Sequence, residues 1–138
     1  MTVNPYLNFD GNCAEAFAFY EMLLDGKIVM MMKHRDSPMA EQTPPEWMDA
    51  VMHVAMKLGD TMLMASDAPP KSYTKPAGLW VSLEVATPEE AERVWAGFAD
   101  GGQVAMPLQE MFWAKRFGMV TDRFGTPWMV NCSKPMPS

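Results

Sequence analysis

Leu7-Asn-Phe-Asp-Gly-Asn-Cys-Ala-Glu-Ala-Phe-Ala-Phe-Tyr20 and Leu83-Glu-Val-Ala-Thr-Pro-Glu-Glu-Ala-Glu-Arg-Val-Trp-Ala96 are the two stretches whose comparison decides the fold. Laid over each other at a constant offset of 76 residues, Leu7 on Leu83, they share punctuation rather than identity. Each begins as a short alternating strand and passes a capping residue, Asp10 or Asn12 in the first and Thr87 before Pro88 in the second. Each then continues as an amphipathic helix. The register holds without a gap: Gly26 falls on Gly102 and Met30 on Met106, while Phe9/Val85, Phe19/Trp95 and Ile28/Val104 match in character. The helices are predicted to stop at Asp25-Gly26 and at Gly101-Gly102, each before another strand. A hairpin follows in both halves. The first runs from His53 to Leu58, turns at Gly59-Asp60 and returns from Thr61 to Ala65. The second runs from Arg116 to Thr121, turns through Asp122-Arg-Phe-Gly125 and returns from Pro127 to Asn131.

The chain is thus a duplicated unit of strand, helix and three strands. The fold class is α+β, with two βαβββ modules at about residues 1–67 and 78–138 and a Pro-rich linker at 68–77. Neither module buries both faces of its sheet alone, because its helix covers only one. Two modules forming one sheet around a cleft, within a single domain of 138 residues, are therefore expected.

Composition narrows the function classes. A net charge of −6 with no basic stripe argues against nucleic acid and anionic membrane surfaces as partners. No apolar run approaches the roughly 20 residues of a membrane helix, and Met1 to Tyr6 lacks the basic start and apolar core of a signal peptide, so a cytoplasmic location is expected. Cys13 and Cys132 form neither a CxxC pair nor a disulfide framework. Cys13 falls at a helix start, where a thiol can be activated, although a buried small hydrophobe is the plainer reading. Sixteen methionines, several in strand-like runs, supply flexible thioethers that either fill a core or line an adaptable apolar cavity.

The arrangement resembles the vicinal oxygen chelate superfamily of glyoxalase I, extradiol dioxygenases and the bleomycin and fosfomycin resistance proteins, and within it the PhnB-like group. The resemblance is carried by Tyr6-Leu-Asn-Phe-Asp-Gly-Asn-Cys13 with Ala16-Phe-Ala-Phe-Tyr20, by the His53 to Asp67 hairpin, and by Met111-Phe-Trp-Ala-Lys-Arg-Phe-Gly118 with Asp122-Arg-Phe-Gly-Thr-Pro-Trp128. It covers nearly the whole chain. It implies a homodimer whose clefts are built from paired modules, a state that would also protect open sheet edges.

Strand alternation sorts the faces. Leu7 and Phe9, Val81, Leu83 and Val85, and Met52, Val54, Met56 and Leu58 belong under the helices. That leaves Asn4, Tyr6 and Asn8, then Trp80, Ser82 and Glu84, and finally His53, Ala55 and Lys57 for the cleft. His34, in the charged run Lys33 to Asp36, reads as solvated surface. Glyoxalase-type relatives bind a divalent metal through the first and last strands of each module. Carried over, those positions fall at about Asn4, Leu63 or Met64, Trp80 and Met129, none a usual ligand for a hard or borderline ion, so no metal is expected.

His53 and Glu84 are the candidate catalytic pair, either as general acid and base or as part of an unusual metal site. A histidine satisfied by a neighbouring acceptor is the structural alternative. Tyr6, Trp80 and Trp113 would give the cleft aromatic walls, with Asn8, Ser82 and Met129 as further ligand contacts. Core packing is the rival account for Trp95 and Trp128. Lys115-Arg116 and Asp122-Arg123 read as hairpin surface charge or as a clamp for a charged ligand group, and Trp47 as a lid or dimer contact. A methyltransferase label attached to this group would require a nucleotide-like cofactor in a Gly-rich strand-to-helix turn, and neither Asp-Gly-Asn-Cys13 nor Ala-Thr-Pro-Glu89 is one. No cofactor is expected. The sequence reading favours metal-independent binding or sequestration of an aromatic or apolar small molecule. A glyoxalase-like lyase, isomerase or hydrolase acting through His53 and Glu84 is the alternative.

Overall fold

Apolar side chains at helical spacing and a repeated strand order set the architecture of the computed structural model, which describes residues 1–135. The chain divides into two compact units, Met1–Thr74 and Lys75 onward, and the division falls within the Pro-rich connection. The first module contains β1 (Tyr6–Phe9), α1 (Cys13–Leu24), β2 (Lys27–Lys33), β3 (Val51–Leu58) and β4 (Thr61–Asp67). The second contains β5 (Val81–Glu84), α2 (Pro88–Ala99), β6 (Gln103–Gln109), β7 (Ala114–Thr121) and β8 (Pro127–Ser133). The two sheets have the same order, β1-β4-β3-β2 and β5-β8-β7-β6, with the first strand of each parallel to the last and the other pairs antiparallel. These are the two βαβββ modules expected from the repeat.

In module 1 the buried face of α1, with Ala16, Phe17, Tyr20 and Leu23, meets Leu7, Phe9, Val54 and Met56 of the sheet. Phe9 and Phe17 pack edge to face at 6.1 Å, and Phe17 and Tyr20 at 5.6 Å. In module 2, Ala91, Val94 and Phe98 of α2 are buried, and Phe98 stacks on the fully buried Trp128 at 4.5 Å. Trp128 is therefore core. Trp95 crowds Gly118 of β7 so closely that a Cβ there would lie 2.6 Å from its ring, which is why β7 carries glycine at that point.

The caps divide between expectation and correction. Thr87 accepts the Glu90 N–H at 3.1 Å, as Thr-Pro predicts. At α1, Asn12 holds the capping position but makes no side-chain cap bond, and the carboxylate is brought from the far end of the module. Asp67 Oδ1 accepts the N–H groups of Gly11 and Cys13, both at 3.0 Å, and Oδ2 accepts that of Val51 at 2.9 Å. The end of α1 also differs in detail, since Asp25 rather than Gly26 takes the left-handed conformation. At Gly26 an added Cβ would come 2.9 Å from Met56 Sδ, so the Met56 side chain would have to shift.

The modules differ most between their second and third strands. Residues 34–50 join β2 to β3 through three single 3₁₀ turns, His34–Asp36, Ala40–Gln42 and Pro45–Trp47, whereas only 110–113 join β6 to β7. His34 is half-buried at the start of the longer connection, its ring 6.1 Å from that of Trp47, so the expectation of a solvated histidine is corrected. Asp122 is also corrected: it is buried, not surface charge. Its Oδ1 accepts from the backbone of Phe124 and Thr126 and its Oδ2 from Trp128 Nε1 at 2.8 Å, which shapes the β7–β8 turn. Among the described residues no helix is long and apolar enough to cross a membrane.

Candidate functional site

Each sheet has one face under its helix and one turned away from it, and the second carries the chemistry. In module 1 the register sets Tyr6 opposite Met64 and Asn8 opposite Ser66, while the β3–β4 ladder brings His53 onto the same face. Tyr6 and His53 stack at 5.7 Å, and the phenol oxygen lies 3.1 Å from His53 Nδ1. The direction of that bond follows the histidine tautomer. Tyr6 is 48% exposed, so this pair is open to a ligand rather than sealed in core. Asn8 Oδ1 and Ser66 Oγ are 3.5 Å apart.

In module 2 the equivalent pairs are Ser82 opposite Met129 and Glu84 opposite Asn131. Asn131 Nδ2 donates to Glu84 at 2.7 Å and the Ser133 N–H donates to it at 3.0 Å, while Asn131 also donates to Ser133 Oγ at 2.9 Å. Burial pushes the Glu84 carboxyl up, but the Ser133 hydroxyl, the Asn131 amide and the Ser133 N–H outweigh it and hold the group below its ordinary value. Glu84 is accordingly a pinned carboxylate, suited to fixing donors rather than to giving a proton near neutrality. His53 has its partner in Tyr6 and Glu84 has its partners in Asn131 and Ser133, each within its own module.

Trp113, 39% exposed in the β6–β7 connection, packs edge to face with Phe112 at 4.8 Å and with Phe117 at 5.3 Å. Trp80 is half-buried just before β5. Arg116 pairs with Glu92 of α2 at 3.2 Å, and Arg123 lies over the Phe124 ring at 4.6 Å. Cys13 is fully buried. Burial, with the Asp67 carboxylate adding to it, pushes its thiol well above the ordinary value, so the helix start does not activate it.

Ser66, Asn131, Ser133 and Phe117 are not singled out as site residues by the sequence. Alternation along Trp128-Met-Val-Asn-Cys-Ser133 already puts Met129, Asn131 and Ser133 on one face. Their pairing with Glu84 depends on the parallel register of β5 and β8, which is a tertiary fact.

Two βαβββ modules of this order define a protein of the vicinal oxygen chelate fold. The structure superposes on FosX from Listeria monocytogenes with a TM-score of 0.65 over 97% of this chain and 93% of that one; at 9% identity the likeness is of fold. The chain belongs to the 3-demethylubiquinone-9 3-methyltransferase family, the PhnB-like group, whose model matches residues 1–131. Protein YjdN of Escherichia coli (strain K12) is 34% identical, covering 100% of this chain and 99% of its own. Protein PA1353 from Pseudomonas aeruginosa is 44% identical with a TM-score of 0.87, covering 98% of this chain and 99% of that one. The PhnB protein from Bacillus cereus is 24% identical with a TM-score of 0.81, covering 96% and 100%.

Neither a chelated metal nor a nucleoside methyl donor fits the residues that fold and family name would assign to it. Among the described residues no three His, Cys, Asp or Glu side chains group as a metal site. The open-face positions on the last strands are Met64 and Met129, thioethers that do not replace carboxylates for hard or borderline ions. At the strand-to-helix turns Asp67 takes the N–H groups of Gly11 and Cys13 and Thr87 takes that of Glu90, and neither turn is a Gly-rich cradle.

Proposed function

We propose that the protein binds a small aromatic or apolar molecule against the helix-free faces of its modules and sequesters it without a metal. The observation that carries this reading is the register. Hydroxyl and thioether occupy the paired positions of the first and last strands, Tyr6 with Met64 and Ser82 with Met129, and aromatic rings lie beside them. Tyr6 stacked on His53, Trp113 packed on Phe117, and separately Trp80 supply flat apolar surface, while Asn8, Ser82 and the Glu84–Asn131–Ser133 network supply a few directional polar groups. That is the usual make-up of a small-molecule site. A homodimer in the cytoplasm is the assembly and location that accompany this proposal.

The 3.1 Å contact between Tyr6 and His53 favours one second reading, a small-metabolite lyase, isomerase or hydrolase in which the imidazole moves a proton and Glu84 fixes the substrate. The deciding experiment is native mass spectrometry of untagged protein with elemental analysis. A dimer carrying an organic mass and no metal supports sequestration, and loss of that mass in Trp80→Ala but not in His53→Ala assigns it to the aromatic surface. One equivalent of metal per chain, or turnover abolished by His53→Ala without loss of fold, overturns it.

A further inference from the structure

The long connection of module 1 builds something that module 2 does not have. Residues 34–50 fold back beside Met52 and the Pro69-Pro70 corner and form an open pocket of about 290 Å³. Met39, Pro44, Trp47, Met52, Pro69 and Pro70 are its apolar walls. Neither Tyr6 nor His53 lines it; its walls come from residues 34–52 and the Pro69-Pro70 corner. This pocket is therefore a different place from the open face described above.

Three observations show how the pocket is made. Its base is pinned by backbone bonds across the neck of the connection, His34 N–H to the Ala50 carbonyl at 3.1 Å and Arg35 N–H to the Met48 carbonyl at 2.9 Å. The fixed φ of three wall prolines stiffens it, so little ordering remains to be done when something binds. No Asp, Glu, Lys or Arg lines it. A charged guest would lose its water there without gaining a partner, which excludes ions as the natural occupant. The polar side chains that line it are the His34 ring, set at 45° to the Trp47 ring, the Gln42 amide and the Thr43 hydroxyl. The Thr43 hydroxyl is already committed to the Met39 carbonyl at 2.8 Å.

We infer that this pocket is a second binding site, specific to module 1, for an uncharged aromatic or heteroaromatic small molecule held against Trp47 and hydrogen-bonded to His34. The volume sits at the low end of the roughly 300–1,000 Å³ typical of small-molecule sites, which suits a compact fused ring rather than a peptide or a second protein chain.

Methionine methyl groups report the site directly. Full-length protein labelled at the methionine methyls is titrated with indole and, separately, with naphthalene, which has no hydrogen-bonding group, and the resonances are assigned by single Met→Leu changes. Indole is expected to shift the Met39 and Met52 methyls saturably, with its affinity reduced at least tenfold in Trp47→Ala. In His34→Phe, affinity for indole falls while that for naphthalene is kept. Ring-current shifts confined to Met64 and Met129, an unchanged affinity in Trp47→Ala, or equal losses of both probes in His34→Phe would each overturn the inference. The wild-type titration decides even if Trp47→Ala fails to fold. Because Met64 and Met129 report the open faces in the same spectrum, failure of this site and failure of the open-face proposal are distinguished.

Discussion

Removing the Asp67 carboxylate should unfold module 1 from both ends at once. Its two oxygens accept three backbone N–H groups from separate elements: Gly11 and Cys13 at the start of α1, and Val51 at the start of β3. The residue is 4% exposed, so water does not replace these bonds without opening the fold. In Asp67→Ala three donors lose their acceptor at about 1–3 kcal/mol each, and the sum, discounted for relaxation at the α1 end, is about 4 kcal/mol. That is a large part of the roughly 5–15 kcal/mol that holds a domain folded. Asp67→Asn keeps one oxygen but points an amide N–H at a donor, for a loss of about 2–3 kcal/mol. The assay is urea unfolding followed by circular dichroism, with native-state hydrogen exchange at the three amides. The midpoint should fall with little change in slope, and Gly11, Cys13 and Val51 should lose protection together. An Asp67→Ala protein within about 1 kcal/mol of wild type, or one with the three amides still protected, would refute the capping argument.

Three further outcomes follow from other parts of the fold. Glu84 has its carboxyl held below the ordinary value, so its contribution to stability is complete above the unfolded-state value and is lost as pH falls through the depressed one. The difference in Tm between wild type and Glu84→Gln should thus be widest near neutrality and close on acidification, and a gap that widens in acid would contradict it. Cys13 and Cys132 are both buried, and the Cys13 thiol is raised further by burial and by Asp67. Neither should react with iodoacetamide in native protein, both should react in urea, and rapid native alkylation would show the α1 start to be open. Gly102→Ala should destabilise by about 3 kcal/mol in thermal unfolding, because the added Cβ meets backbone, the Phe98 carbonyl and the Thr121 oxygen at 2.6 Å, and backbone yields less than a side chain. A substitution there that costs nothing would mean that the α2–β6 turn re-forms.

The repeat was legible because both copies keep the features that local physics demands: alternation, a cap, a helical apolar stripe and a glycine stop. Sequence reasoning placed Leu7 and Phe9 under α1 and Tyr6 and Asn8 on the other face, as the structure has them. Thr87-Pro88 was readable as a cap because its partner, Glu90, is three residues away. Asp67 was not, because its partners lie up to 56 residues away and only the β1–β4 pairing brings them near. Asp122 beside Arg123 looks like turn charge, and nothing local shows that Trp128 will fold back to donate to it. His34 was misplaced for a related reason. Its neighbours in sequence are charged, but its neighbours in space, Trp47 and Met52, belong to other elements.

What the two copies have kept and what they have changed differs by face, and that difference bears on function. Under the helices the equivalent positions remain apolar: Leu7 with Leu83, Phe9 with Val85, Ala65 with Val130. Those side chains fill space against α1 and α2, and interiors packed to near-crystalline density tolerate little else. On the opposite face the register equates Tyr6 with Ser82, Asn8 with Glu84, Ser66 with Asn131 and His53 with Phe117, while Met64 agrees with Met129 and Met30 with Met106. One module thus offers a phenol, an imidazole and neutral amide and hydroxyl groups, the other an anion held by two donors beside aromatic rings. Phe117 is buried, but at the other positions, which are exposed or half-buried, packing alone gives no reason for such divergence, whereas two faces that recognise different chemical groups do. The retained thioethers fit the same account, being the side chains that adapt to either guest and offer no charge to a metal.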